Sequence, residues 1–380
     1  MGSSDKKKAL IISCFDWYEK RLKFIERYLE KRGYRVLIIT SDFDHLNKKR
    51  DTGLHLKRNL QYITVPAYRK NISLKRLWSH YIFVKQVGKI LEKTTPDFVY
   101  SLIPPNYLLK VLTDGKRKYQ YKLVVDVIDL WPESFPYGNT RIFPFYMWKN
   151  LRDKNIGMAD CVVVECELYK QALSTNVKYE KMYTLYLTAK SLEEGVISKQ
   201  VSCAYNEDSK IILGYLGSIN SLIDIDKICR IVMKLKEIKN VEVRIVGCGE
   251  KSNEFITKLK NCGVNVTYYG AVFDEKEKYK IFQQCHYGLN IYKENVKIGL
   301  TIKSIDYFKY GLPILNTIKG DTEQLVNEYK AGININGLSV SQIFEKIEHY
   351  ECNPGNILMM FDKLFDEETI NKRLKFLDEV

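Results

Sequence analysis

The chain has 380 residues, of which 45% are hydrophobic and 28% charged, and its formal net charge is +14. This length exceeds what one hydrophobic core usually serves, so we expect two globular domains. No run of about 18 uncharged apolar residues predicts a membrane-spanning helix, and the first residues lack the pattern of a secretory signal, so we expect a cytoplasmic protein.

The first half of the chain alternates between short apolar segments and longer amphipathic ones. The short segments predict β-strands, and several segments between them, such as residues 18–31 and 74–92, have the spacing of helices. This alternation is typical of an α/β domain with a mostly parallel, doubly wound sheet. The predicted strands are residues 9–14, 36–40, 62–65, 98–102, 123–128 and 161–165.

The same pattern restarts after a polar stretch at residues 191–208, which we interpret as a linker. It predicts a second Rossmann-like domain, and the residues beyond 353 then have the spacing of an amphipathic helix. The strands predicted in this half are residues 211–216, 241–246, 264–269, 287–291, 314–316 and 333–335.

Positive charge is concentrated in the first half. Residues 1–200 contain 36 Lys and Arg against 21 Asp and Glu, whereas residues 201–380 contain 24 against 25. Clusters at residues 6–8, 20–35, 48–50 and 116–118 predict a surface for an anionic partner such as an acidic membrane. An ordinary solvated surface is the alternative for any single cluster.

The nine cysteines form no C-x-x-C pair, and no histidine stands at ligand spacing from them. The sequence therefore predicts neither a metal site nor a disulfide framework, and we expect small core thiols in a reducing compartment. No helix-turn-helix, RRM or KH pattern is recognisable, so we expect no nucleic-acid partner.

The most informative segment is residues 299–314. A helix over residues 300–310 places Lys303, Asp306 and Tyr310 on one face and apolar side chains such as Ile302 on the other. The free N–H groups of the first turn, beside Gly299, suit a phosphate, and a carboxylate further along suits a ribose. The segment therefore predicts a site for a nucleoside diphosphate. The alternative is an amphipathic helix with a solvated Lys303–Asp306 pair.

Seven residues of this segment match a family signature: Gly299, Leu300, Lys303, Tyr307, Gly311, Pro313 and Ile314. In this respect the chain resembles the family-4 glycosyltransferases of the GT-B fold, which make capsular, exopolysaccharide and lipopolysaccharide glycans. Two positions depart from the family pattern, because Thr301 replaces a proline and Asp306 replaces a glutamate.

The resemblance implies two Rossmann-like domains facing across a cleft and a C-terminal helix that crosses back to the first domain. We accordingly expect an acceptor-binding domain at residues 1–195 and a nucleotide-sugar-binding domain at residues 205–352. Residues 353–380 would form the returning helix.

By the same resemblance, the donor site lies in the second domain. The implied residues are Gly217 and Ser218 beside the diphosphate, Val272 at the base, Gly299, Leu300 and Thr301 around the β-phosphate, Lys303 as the catalytic cation and Asp306 at the ribose.

Two family features are missing from this site. Many relatives carry an Arg and a Lys after the first glycine loop, whereas residues 218–226 contain no cation. A frequent glutamate, eight residues before the ribose carboxylate, would fall at Ile298. We expect Lys293, Glu294 or Lys297 to replace these functions.

Residues 126–134 follow a predicted strand and resemble the D-L-W-P-E-S segment of some family-4 enzymes. They imply an acceptor site in which an aromatic ring stacks on a sugar and carboxylates accept from its hydroxyl groups. A proline-terminated strand with a packed tryptophan is the alternative. The candidates are Trp131, Asp129 and Glu133, with Asp16 and Asn106 at the ends of other strands, and Asp129 is also a candidate catalytic residue.

The resemblance implies a retaining, metal-independent glycosyltransferase that needs no cofactor. Its donor would be a nucleotide-diphosphate sugar, with a UDP-sugar favoured, and its acceptor a glycan or a saccharide on a lipid diphosphate at the inner face of the plasma membrane. The alternatives are a nucleotide-sugar epimerase or an inverting GT-B transferase. Outside this class, the alternative is a basic nucleic-acid-binding protein or a non-catalytic partner protein.

Overall fold

The computed structural model describes residues 6–15, 18–45, 47–50, 59–70, 73–134, 141–192, 210–294, 296 and 298–380. The chain forms two compact units, one made of Met1–Leu187 with Ile370–Val380 and the other of Thr188–Thr369. Most of the predicted linker lies outside the described residues.

The first unit contains a parallel sheet of seven strands in the order β5-β2-β1-β6-β7-β8-β9. All six residues of β6 are buried, as expected for a parallel sheet covered by helices on both faces. The strands of this unit are β1 Lys8–Ile12, β2 Arg35–Ser41, β3 Phe43–Asp44, β4 Lys49–Arg50, β5 Leu60–Ile63, β6 Phe98–Ile103, β7 Lys122–Val127, β8 Cys161–Val164 and β9 Met182–Thr184, of which β3 and β4 form a separate antiparallel pair.

In the part of this unit that the structure describes, five helices connect the strands. They are α1 Glu19–Glu30, α2 Leu74–Thr94, α3 Asn106–Tyr119, α4 Phe145–Ile156 and α5 Glu167–Leu173. Ser73 caps α2 by accepting a hydrogen bond from the Arg76 amide at 3.2 Å.

The second unit contains a parallel sheet of six strands in the order β12-β11-β10-β13-β14-β15. Counted from its own first strand this order is 3-2-1-4-5-6, which is the doubly wound order that places a ligand site where the strand order reverses. That point lies between β10 and β13. The strands are β10 Lys210–Leu216, β11 Asn240–Val246, β12 Asn265–Gly270, β13 Tyr287–Asn290, β14 Ile314–Asn316 and β15 Gly332–Asn334.

Helices of this unit bury apolar stripes on its sheet. In α6 the buried side chains recur every three or four residues, as in Ile225, Ile228 and Val232, and Asp224 caps the helix by accepting from the Lys227 amide. The helices are α6 Ile225–Lys236, α7 Ser252–Asn261, α8 Glu275–Phe282, α9 Ile302–Lys309, α10 Asp321–Tyr329, α11 Val340–Glu348 and α12 Pro354–Leu364. The α/β prediction, with two parallel and doubly wound sheets, is confirmed.

The C-terminal residues divide between the two units. Helix α12 packs on α9 and α10, whereas α13, Ile370–Arg373, and the turn Leu374–Asp378 belong to the first unit. There the Phe376 ring stacks on Tyr183 at 4.6 Å, and Asp378 pairs with Arg32. The chain thus returns at Ile370, while residues 353–369 remain with the second unit.

The sequence also made predictions about membrane-spanning helices and about the cysteines. No helix in the described part of the chain combines the length and apolar character needed to cross a membrane. The expectation of free thiols throughout is wrong at Cys352, which is disulfide-bonded, whereas the other described cysteines are free.

The glycines that follow β10 and β11 allow two loops to touch backbone to backbone. A Cβ on Gly247, whose φ is +140°, would lie 2.0 Å from the Gly217 carbonyl oxygen, and a Cβ on Gly249 would lie 2.2 Å from that of Ile219. The Ile219 amide donates to the Cys248 carbonyl at 3.0 Å across the same contact. These two glycines therefore serve loop packing, which holds the Gly217 loop in place.

We expect Gly247→Ala to lower the free energy of unfolding by more than about 2 kcal/mol, because both its φ and its surroundings exclude a side chain. Gly270→Ala is the matched control: its φ is +68°, but nothing lies within 4 Å of the added carbon, so backbone strain alone predicts a loss of about 1 kcal/mol. Urea denaturation measures both, and equal losses would contradict the loop contact.

Candidate active site

Helix α9 begins at the reversal point of the second sheet. Thr301 caps it, because its Oγ1 accepts from the Ser304 amide at 3.1 Å. The helix therefore starts at Ile302, and its first free amides belong to Ile302 and Lys303 rather than to Leu300 and Thr301. Such amides and the positive end of the helix dipole together favour an anion.

The predicted division of α9 into a packed face and an open face holds only in part, because Ile305 and Phe308 pack as expected at 2% and 0% exposure, whereas the open face is wrong. Ile302, expected to pack, is 64% exposed, whereas Lys303 and Tyr310, expected on the open face, are 7% and 1% exposed. The helix is enclosed by α12 and the ends of the strands, so burial does not follow the polarity of its residues.

Lys303 is a buried cation without an ionic partner among the described residues. Its Nζ makes no hydrogen bond there and lies 4.1 Å from the centroid of the Tyr215 ring and 4.8 Å from that of Tyr292. Burial lowers the pKa of Lys303 to about 7, since removal from water disfavours the charged form. The alternative of a solvated Lys303–Asp306 pair therefore does not hold.

The Gly217 loop lies beside this cation. A Cβ built on Gly217 would be 3.6 Å from Lys303 Cε, and the φ of Gly217 is +104°. Tyr215 lies one residue before the end of β10 and donates from its hydroxyl to the Ser218 carbonyl at 2.7 Å, while the Ser218 side chain is exposed. The glycine loop, the ammonium group and the start of α9 thus converge on one point, which suits a multiply charged phosphate.

Asp306 belongs to a network of charges one turn further along α9. Its Oδ1 accepts from Lys309 Nζ at 3.1 Å, and its side chain is 16% exposed. Lys309 also pairs with Glu275, which accepts from the Tyr310 hydroxyl at 3.2 Å. Burial raises the pKa of Asp306 and the nearby Lys309 opposes this shift. Among the described residues, the contact from Lys309 goes to Oδ1 and no hydrogen bond reaches the second oxygen.

The loop before α9 is fixed from the start of α10. The Gly299 carbonyl accepts from both the amide and the Oγ1 of Thr322, at 2.9 and 2.7 Å. Gly299 and Leu300 are buried, whereas Val272 is half-buried in the loop after β12, two strands away from β10.

Lys297 lies outside the described residues, and Lys293 and Glu294 are exposed.

Sequence reasoning missed a ladder of asparagine side chains beneath α9. Asn290, Asn316 and Asn334 are in register at the ends of β13, β14 and β15. Asn290 Nδ2 donates to Asn316 Oδ1 and Asn316 Nδ2 donates to Asn334 Oδ1, both at 2.8 Å. Asn290 Nδ2 also donates to Ser304 Oγ at 3.1 Å. The signal was present, because three successive predicted strands include an Asn. The ladder ties the first turn of α9 to three strands.

Tyr307 fixes the same helix from the other side. Its hydroxyl accepts from the Leu216 amide at 2.8 Å, and a Cβ on Gly288 would lie 2.8 Å from its ring. Tyr307 is thus a buried anchor between β10 and β13.

In the first unit, Asp129, Trp131 and Asn106 lie together at the carboxyl ends of β6 and β7. Asp129 accepts from Trp131 Nε1 and, at 2.5 Å, from Ser134 Oγ. Asn106 Nδ2 donates to the Trp131 carbonyl at 2.9 Å. Burial raises the pKa of Asp129, although these hydrogen bonds oppose the shift.

Glu133 differs from Asp129 because its carboxylate forms salt bridges. It accepts from Arg152 at 2.7 and 2.8 Å, and Lys149 lies 3.3 Å away. Burial alone would raise the pKa of Glu133, but the hydrogen bonds from Arg152 lower it overall. Asp16 lies outside the described residues.

Residues 210–351, within the second unit, match the family model of the Glycosyl transferases group 1. No curated protein matches the chain in sequence. The described residues contain no group of three or more His, Cys, Asp or Glu placed to hold a metal ion together.

Solved structures share the fold over nearly the whole chain. HepE of Anabaena, in complex with UDP and glucose, is 16% identical with a TM-score of 0.64, over 99% of this chain and 100% of its own. The lipopolysaccharide outer core galactosyltransferase WaaB is 12% identical with a TM-score of 0.69, over 98% and 100%. Sucrose-phosphate synthase from Thermosynechococcus elongatus is 13% identical with a TM-score of 0.70, over 98% of both chains.

These findings confirm the resemblance to the family-4 glycosyltransferases. Residues 210–351 are similar to the group 1 glycosyl transferases, and the chain has the GT-B fold with its two Rossmann-like units.

Replacing the two buried lysines of α9, Lys303 and Lys309, should change the free energy of unfolding in opposite directions. The unfolded chain keeps the Lys303 proton up to about pH 10, whereas the folded chain releases it near pH 7. The free energy of unfolding that is lost by burying the charged Lys303 is therefore largest below about pH 7, and this loss shrinks as the pH rises towards 10. We expect Lys303→Met to raise the free energy of unfolding at pH 6 by about 1–4 kcal/mol.

The matched control is Lys309→Met, which leaves the carboxylates of Asp306 and Glu275 without their cation and should cost about 3–5 kcal/mol. Denaturation of both variants at pH 6 and pH 9 measures the difference. A loss of stability in Lys303→Met as large as in Lys309→Met would contradict the unpaired state of Lys303.

Proposed function

We propose that this chain is a retaining, metal-independent glycosyltransferase that uses a UDP-sugar. The observation that carries the proposal is the Lys303 ammonium group, buried and unpaired beside the Gly217 loop and the first turn of α9. A diphosphate supplies the negative charge that this arrangement lacks. A UDP-sugar is favoured because HepE, which shares the fold, has been solved with UDP and with UDP-glucose.

Departure of UDP from the sugar places additional negative charge on its β-phosphate. Lys303 and the free amides of α9 are fixed before the reaction, so they stabilise this charge without rearranging. Asp306 accepts from the ribose hydroxyl groups through the oxygen that does not face Lys309. In a retaining reaction a phosphate oxygen takes the acceptor proton on the same face, and no protein nucleophile is required.

The acceptor we propose is a glycan or a saccharide on a lipid diphosphate, in the synthesis of a surface polysaccharide or glycoconjugate. It would bind the first unit at Trp131, Asn106 and Asp129. Residues 1–200 carry a net charge of +15, which suits an anionic membrane surface, so the protein would act at the cytoplasmic face of the membrane.

Lys303→Met should lower the turnover of the donor sugar by about 10²–10³-fold, because a preorganised group that stabilises the leaving charge is lost. Asp306→Ala should weaken UDP binding by about tenfold or more, since a hydrogen bond to a charged acceptor is lost. Calorimetric titration with UDP and assays of UDP-sugar hydrolysis measure these effects. The control is Lys260→Met on α7, an exposed lysine that should change neither. Unchanged kinetics and binding in both site variants would remove the donor site.

Product stereochemistry tests the retaining mechanism. From an α-linked UDP-sugar we expect an α-linked product by NMR, formed at an unchanged rate in the presence of EDTA. A β-linked product would instead favour the inverting alternative, in which Asp129 acts as the base on the acceptor hydroxyl.

A further inference from the structure

A cavity in the first unit has no role in the donor chemistry. It lies between α2, α3 and α4, has a volume of about 430 Å³ and is mostly apolar. This volume falls within the range of pockets that hold small molecules. Its walls include Leu77, Tyr81, Tyr107, Met147, Trp148 and Leu151.

The deep end of this cavity is polar and the outer end is apolar. Asn106 and His80 line it, each 6% exposed, and neither Asn106 Oδ1 nor His80 Nε2 has a hydrogen-bond partner among the described residues. Leu77 and Met147 are 37% and 45% exposed. The same Asn106 holds the Trp131 carbonyl at 2.9 Å, so the polar end adjoins the proposed acceptor residues.

An exposed apolar collar surrounds the outer end. The described part of the first unit exposes eight large hydrophobic side chains, and seven of them belong to the start of α2 and to residues 142–147. Trp78 stacks on the cavity residue Tyr81 at 5.4 Å. Clustered exposure of this kind marks an interaction surface. The collar consists of Leu74, Leu77, Trp78, Ile142, Phe143, Tyr146 and Met147.

In the two segments that carry the collar, every Lys, Arg, Asp or Glu position is a Lys or an Arg. Residues 66–91 contain six Lys and Arg and no Asp or Glu. Residues 134–152 contain three Lys and Arg and no Asp or Glu. Arg69, Lys70, Lys75, Lys85 and Arg141 are exposed. Aromatic and aliphatic side chains framed by cations match the boundary of an anionic bilayer, where rings lie at the headgroups and cations meet acidic lipids.

We propose that the collar enters the surface of an anionic membrane and that the cavity holds the hydrocarbon chain of the lipid-linked acceptor, with the saccharide end towards Asn106 and Trp131. The identity of the lipid as acceptor rests on the proposed function, whereas the lipid site itself does not. A peptide would need partners for its backbone, which the apolar walls do not offer, and a second copy would bring like charges together.

Tryptophan fluorescence can report this site, because three of the four tryptophans, Trp78, Trp131 and Trp148, lie on the collar or the cavity wall. The full-length protein is mixed with vesicles of phosphatidylcholine and phosphatidylglycerol whose acyl chains carry bromine, which quenches tryptophan on contact. We expect quenching by the brominated vesicles and none by unbrominated ones. It should weaken at least tenfold in Leu77→Glu and remain in Ile238→Glu, whose side chain is 53% exposed in the second unit.

Alkyl phosphates below their micellar concentration test the cavity itself. Binding should tighten about fourfold for each added methylene between hexyl and octyl phosphate, and inorganic phosphate should not bind. Phe143→Ser should lose vesicle quenching but keep alkyl phosphate binding, because this residue is 77% exposed on the collar and does not line the cavity.

The result that would overturn the proposal is equal quenching by both kinds of vesicle, or affinity that is independent of chain length. A dimer in sedimentation that Leu77→Glu dissociates would also overturn it, since the collar would then bind a second copy. Titration with UDP separates the two proposals: UDP binding without lipid binding removes only the lipid site, and lipid binding without UDP binding removes only the transferase assignment.

Discussion

The proposed donor site depends on one uncompensated charge. Lys303 is 7% exposed and has no hydrogen-bond partner among the described residues, although a buried ion costs several kcal/mol when it has no partner. Cation–π contacts with the faces of Tyr215 and Tyr292 offset on the order of 2 kcal/mol of this cost. On the same helix, Lys309 is equally buried but is satisfied by Asp306 and Glu275. This contrast supports the proposal that Lys303 is held in place for an anion that arrives from outside.

Holding such a charge requires a rigid frame, and the second unit supplies one from three directions. Tyr307 joins α9 to the end of β10, and the asparagine ladder joins its first turn to β13, β14 and β15. Thr322 fixes the chain just before the helix. Because these contacts are buried, the cation cannot relax towards water, and the preorganisation that favours charge development in a reaction follows from ordinary packing.

Hydrophobic periodicity predicted most of the fold, because the strands of a parallel sheet are continuous apolar runs and the helices between them bury regular stripes. It missed β9 and the pair β3 and β4, which are short and carry little pattern. The candidate site was less predictable. The position of Lys303 at the start of a helix followed from sequence, but its burial did not, since the rings of Tyr215 and Tyr292 that cover it come from other segments of the chain. The partner of Glu133, Arg152, is likewise supplied by another helix.

The pKa of the Lys303 amine, followed by NMR of lysine labelled at the ε-carbon, tests the central claim most directly. The account predicts a pKa of about 7 in the free protein and a rise of about two units or more when UDP is added, because the diphosphate favours the charged form. A pKa near the usual value of about 10 in the free protein, unchanged by UDP, would contradict it.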